Sequence, residues 1–71
     1  MKLLGKKATF VPCFKKEKDG NVKEDAEPVT GRITYVNWAH GWFRVSFHAG
    51  RTVLHESFKF FDIGKEVTVH G

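Results

Sequence analysis

The chain contains one cysteine, two prolines and one methionine, and it has no long apolar run. Each scarcity closes off a class of protein. A single thiol, Cys13, cannot form an internal disulfide, so the chain is not a crosslinked secreted mini-protein, and a reducing cytoplasm is the expected setting. Met1-Lys2-Leu3-Leu4-Gly5 carries a charge and two leucines, but its apolar run is far shorter than the hydrophobic region of a signal peptide. No segment approaches the ~20 apolar residues of a membrane span, and no membrane partner is expected. Cys13 lies in a strand-like run and reads as a small core or boundary residue rather than a nucleophile.

Chemistry-bearing clusters are also scarce. His40, His48, His55 and His70 do not fall at ligand spacing, and there is no Cys-x-x-Cys and no His-x-x-x-His, so neither a metal nor a cofactor is expected. His55, Glu56 and Ser57 are catalytic residue types in a row. Neighbours along a strand point to opposite faces, however, so the three cannot converge as a triad. No glycine-rich phosphate loop precedes a helix. An enzyme with a small-molecule substrate is not expected.

What is abundant is aromatic surface. Seven Phe, two Trp and one Tyr make up 14 % of the 71 residues. Large rings bury much area each, which lets so short a chain build one small core. The formal net charge is +4, and its distribution is uneven. Residues 15–27 hold four Lys against five acidic residues. The rest holds eight of the 12 Lys/Arg against three of the eight Asp/Glu, a net of +5. The excess positive charge therefore rides on the β-rich portion, an arrangement that favours polyanionic partners.

Along the chain, 7–14 reads as a first strand in which Pro12 marks an edge or an end. Residues 15–28, charged and containing Asp19-Gly20, read as a long solvated loop. Strands follow at 30–38, 42–48 and 51–58, joined by Ala39-His40-Gly41 and Ala49-Gly50. Lys59-Phe-Phe-Asp-Ile-Gly64 suits a single 3₁₀ turn, and 65–70 closes the chain as a fifth strand with Val67 and Val69 inward. Residues 1–71 thus form a single all-β domain.

This order resembles the SH3-like barrel superfold in its wide sense, which includes Tudor-like and KOW-like domains. The resemblance rests on Gly31-Arg-Ile33, Gly41-Trp-Phe-Arg-Val45, Phe58-Lys-Phe-Phe-Asp-Ile63 and Val67-Thr-Val69. It implies a five-stranded, partly open barrel with a short 3₁₀ turn before the last strand. The acidic first loop and Pro-flanked aromatic set of signalling SH3 domains are missing, so Pro-rich peptide recognition does not carry over. The run from Tyr35 to Phe43 (Tyr-Val-Asn-x-x-His-x-Trp-Phe) is also similar to one in small proteins of Gram-positive prophages, which implies a bacterial or phage context.

Strand register decides which side chains meet water, because a slip of one residue exchanges the two faces. A three-residue loop at 39–41 would set Trp38 opposite Trp42, Asn37 opposite Phe43 and Tyr35 opposite Val45. A two-residue turn at Ala49-Gly50 would set Arg44 opposite His55. The core face would then hold Ile33, Tyr35, Phe43, Val45, Phe47 and Leu54. Glu56 also falls on that side and is expected to escape through a bulge or at the rim. The outer face would hold Arg32, Val36, Trp38, Trp42, Arg44, His48, Arg51, Val53 and His55. Two indoles among arginines form a platform on which bases stack while Arg32, Arg44, Arg51 and the Lys6-Lys7 pair hold phosphates. Two other readings stay open. The indoles can be a cross-strand pair that only closes the hairpin, or the patch can meet a protein partner or a second copy of the chain.

Overall fold

The computed structural model describes residues 2–15 and 26–71. The expected charged loop at 15–28 therefore falls, over 16–25, outside the described residues. Among the described residues, five strands form one antiparallel sheet: β1 (Lys7–Phe10), β2 (Val29–Asn37), β3 (Trp42–Ala49), β4 (Thr52–Lys59) and β5 (Val67–Val69). Their spatial order is β4-β3-β2-β1-β5. Short 3₁₀ turns follow β1 at Cys13–Lys15 and precede β5 at Phe60–Asp62. Among the described residues, no helix is long and apolar enough to cross a membrane.

The first strand stops at Phe10, earlier than expected. Pro12 has no N–H to give to a ladder; it is buried just beyond the strand, and the chain turns there. Cys13, expected at the core or its boundary, is exposed on that turn. The second 3₁₀ turn is fixed at its entry by the Lys59 N–H, which donates to the Asp62 carboxylate at 3.1 Å.

β2 is the central strand of the sheet and passes from one neighbour to the other along its length. Its first residues, Val29–Arg32, pair with β1, and from Arg32 onward it pairs with β3. Where the two ladders meet, Gly31 passes so close to β3 that a Cβ would overlap the Ser46 carbonyl oxygen and sit 2.8 Å from Val45 and 2.9 Å from Phe47. Only glycine permits that approach, and it lets the sheet fold back over its own apolar face. Phe10 of β1 meets Phe47 and Phe58 edge-on, with centroids 5.1 and 5.0 Å apart. Leu3, Ala8, Ile33, Phe43, Val45 and Val67 complete the buried core. A further link between the two halves runs from the Cys13 N–H to Glu56 Oε1, at 2.9 Å. The sheet is not closed into a barrel, since β4 and β5 end the strand order unpaired with each other. Strand order and curl are compatible with an SH3-like fold.

Both hairpin links differ from expectation, with different consequences. The first is a four-residue loop, so Asn37, not Trp38, stands opposite Trp42. Asn37 makes the longer loop: its Oδ1 accepts the His40 N–H at 3.0 Å and its carbonyl accepts the Gly41 N–H at 2.9 Å. The second link is Gly50-Arg51, with Ala49 opposite Thr52. Gly50 takes φ +63° and Arg51 takes no positive φ, which suits a turn with glycine at its first central position. Arg44 therefore faces Ser57, and His55 faces Ser46. That displacement is by two residues, so the faces of β4 are unchanged.

The one-residue displacement in the first hairpin would exchange both faces of β2. A bulge between Ile33 and Tyr35 confines the exchange to one end of the strand. Ile33 still faces inward opposite Val45, whereas Tyr35 stands opposite Arg44 and Val36 opposite Phe43. Tyr35, expected in the core, is 44 % exposed. Val36, expected on the outer face, packs against the core. Glu56 stays on the core side opposite Val45, half-buried, and the hydrogen bond from Cys13 satisfies it at the rim.

Candidate nucleic-acid interface

The bulge builds the site. By turning Tyr35 outward, it sets a phenol beside the indole of Trp42, ring centroids 5.3 Å apart. Arg44 stands opposite Tyr35 and two residues along β3 from Trp42, so its side chain rises between them. Its Cζ lies 5.6 Å from the Tyr35 ring and 5.8 Å from the Trp42 ring. The result is two partly exposed rings sharing one guanidinium. Opposite Trp42 on β4 is Lys59, whose Nζ lies 5.4 Å from the ring of Phe61.

The next row on the same face is polar. Lys7, Arg32, Ser46 and His55 stand opposite one another across β1, β2, β3 and β4. Arg32 Nη1 donates to the Gly5 carbonyl at 2.7 Å, which holds its guanidinium in place. Ser46 Oγ bonds His55 Nδ1 at 2.8 Å and Thr34 Oγ1 at 3.1 Å. Thr34, the unpaired residue of the bulge, thus finds a partner on the outer face.

The expected site residues separate into two groups. Trp42, Arg32, Arg44, Lys7 and His55 share the outer face of the sheet. Trp38 does not join them: it lies in the loop, 59 % exposed, with its ring edge-on to Phe60 at 5.2 Å. The expected Trp38–Trp42 pair does not form, because the longer loop carries Trp38 beyond the strand. Arg51 sits in the far β3–β4 turn. Lys6 lines a small cavity with Leu3, Ile63 and Val69, away from that face. His55, expected opposite Arg44, is instead tied to Ser46. Two further residues join the candidate site: Tyr35, which strict alternation places in the core, and Ser46, which alternation places outward between Arg44 and His48 but which carries no ring or charge to mark it.

Among the described residues, the strands contribute charge of one sign to this face. Among the described strand residues the single carboxylate is Glu56, and it faces the core side. Lys7, Arg32, Arg44 and Lys59 therefore project from the sheet with no strand-borne acid beside them. No group of three or more His, Cys, Asp or Glu that could hold a metal ion occurs among the described residues. No family model, no curated protein and no solved structure matches this chain.

Proposed function

We propose that the protein is a small basic binding module, not an enzyme, and that its outer face takes single-stranded nucleic acid. The observation that supports this most is the Tyr35–Arg44–Trp42 cluster on a face without strand carboxylates. An exposed cation–π contact is worth about 0.5–1 kcal/mol, whereas a base stacked on an aromatic ring is worth about 1–3 kcal/mol. An incoming base therefore gains more from the rings than Arg44 does, and Arg44 can turn to a phosphate without net loss. A Tudor-like or KOW-like module in a phage or bacterial cytoplasm accords with this reading.

Indole fluorescence titrated with a single-stranded oligonucleotide at about 50 mM salt tests it, because phosphate contacts are strong at low ionic strength. Quenching is expected in the wild type and in Trp38→Ala, and is expected to be lost in Trp42→Ala. Absence of quenching in the wild type removes the proposal.

A second reading has its own support. Trp38 and Phe61 are 59 % and 67 % exposed. Trp38 meets Phe60 edge-on, and Phe60, the chain neighbour of Phe61, donates its N–H to the Gly41 carbonyl at the loop end of the sheet. Exposed apolar rings of that kind serve protein partners or self-association. Salt-insensitive self-association in sedimentation, abolished by Trp38→Ala, would favour this reading over the first.

A further inference from the structure

We infer that the open cleft beside Arg32 is a phosphate site, which on the reading above holds one backbone phosphate of the bound strand. The cleft has a volume of about 400 Å³, and its lining includes Lys7, Thr30, Arg32, Ser46 and His48, with Gly31 where β2 and β3 come closest. None of its lining residues is acidic. Residues carrying two cations, an imidazole and two hydroxyls line one concave surface. The guanidinium keeps N–H groups beyond the one given to Gly5, and with the ammonium it supplies the charge-assisted donors that a phosphate ester takes.

Its construction follows from the double pairing of β2. Arg32 is the residue at which the β1 ladder and the β3 ladder meet, with Lys7 opposite it on one side and Ser46 on the other. The bond from Arg32 Nη1 to the Gly5 carbonyl orders the guanidinium before any ligand arrives, and preorganised donors bind at a lower entropic cost. Thr30 Oγ1 is likewise held, bonded to Thr9 Oγ1 at 2.8 Å, which in turn meets His70 Nε2 at 2.7 Å. Arg44 and Ser46 are two residues apart on β3, roughly 7 Å along a strand. The cleft is therefore next to the aromatic cluster, and a strand whose base stacks on Tyr35 and Trp42 can set a neighbouring phosphate at Arg32.

Two measurements test this, and they separate it from the stacking proposal. In the first, inorganic phosphate is added to the whole protein at an ionic strength matched with chloride, and backbone amide shifts are followed by NMR. Saturating shifts confined to Arg32, Ser46, His48 and their neighbours are expected. Shifts reproduced by chloride, or spread evenly over the surface, overturn the site. In the second, oligonucleotide affinity is measured against salt for the wild type, Arg32→Gln and Lys7→Gln, with thermal melting confirming that each variant is folded. Removing one phosphate contact to a single strand should make the log–log slope shallower by about 0.7, with Trp42→Ala leaving the slope unchanged. An unaltered slope in both charge variants overturns the cleft assignment while leaving base stacking intact. Failure of the wild type to bind oligonucleotide overturns the stacking proposal, and the phosphate titration then decides the cleft alone.

Discussion

The two faces of the β2–β3–β4 meander carry the same kinds of residue to opposite ends. On the inner face, Phe43 and Val45 are wholly buried and Phe47 nearly so. On the outer face, Tyr35 and Trp42 remain partly exposed, in contact with each other and with the Arg44 guanidinium. Aromatic content alone does not distinguish a core from a binding surface. What distinguishes them is the company each ring keeps: inner rings meet other buried rings and aliphatic side chains, whereas the two outer rings meet each other and Arg44. Stability should therefore be concentrated on one face and, on the proposed function, ligand affinity on the other.

The strongest way to break that division is Phe43→Ala. The ring is 0 % exposed and lies 5.9 Å from Phe58 and 6.2 Å from Phe60, so its removal leaves a cavity at the centre of the sheet. A buried Phe→Ala change costs about 3–5 kcal/mol. In so small a domain each kcal/mol is worth about 4–8 °C in melting temperature, and calorimetry should find the variant largely unfolded at 37 °C. A melting temperature within a few degrees of the wild type would contradict the assigned core. Gly31→Ala comes next, expected to cost about 1–3 kcal/mol by overpacking, because the added methyl overlaps the Ser46 carbonyl. Urea unfolding should give a lower midpoint, and an unchanged one would mean that the crossing is not so close.

Trp42→Ala should invert the pattern. Oligonucleotide affinity is expected to fall by about 1–3 kcal/mol, while the urea midpoint moves far less than in Phe43→Ala. If the variant instead unfolds, Trp42 belongs to the stabilising side of the comparison. A smaller effect on stability is expected for Glu56→Ala, which deletes the acceptor of the Cys13 N–H. A hydrogen bond to a charged group contributes up to about 1.5–3 kcal/mol, and exposure of Cys13 to water brings this one toward or below the lower end, measurable as a lower urea midpoint with an unchanged slope.

How far the sequence discloses all this depends on the element. The all-β class, the five strands in order and the 3₁₀ turn before the last strand follow from β-branched and aromatic runs broken by Gly, Pro and Asn, which act locally. Ile33, Phe43, Val45 and Phe47 are legible as core because their alternation is unbroken within each strand half. Tyr35 is not legible. Its exposure depends on Thr34 standing unpaired, and a bulge adds one residue without a compositional mark. The four-residue loop is hidden for a similar reason. Gly41 advertises a turn, but it is the side-chain bond from Asn37 to the His40 backbone that sets its length. Trp38 and Trp42 thus look like a pair on paper and are separated in the fold, whereas the Tyr35–Trp42 pair needs both irregularities to form.

That separation makes Trp38→Ala the mildest of these substitutions. The indole contributes one edge-on contact with Phe60, and such a pair adds about 0.5–1.5 kcal/mol at most beyond burial. With the ring 59 % exposed, the lower end of that range applies, and the melting temperature should fall by only a few degrees. Oligonucleotide affinity should stay within about twofold of the wild type, since the ring stands outside the Tyr35–Arg44–Trp42 cluster and a base stacked there does not reach it. A loss of binding comparable with that of Trp42→Ala would place Trp38 on the nucleic-acid path and extend the interface over the loop. If affinity is unchanged and a sedimenting dimer disappears, the loop end and the sheet face serve different partners, and the molecule has two working surfaces rather than one.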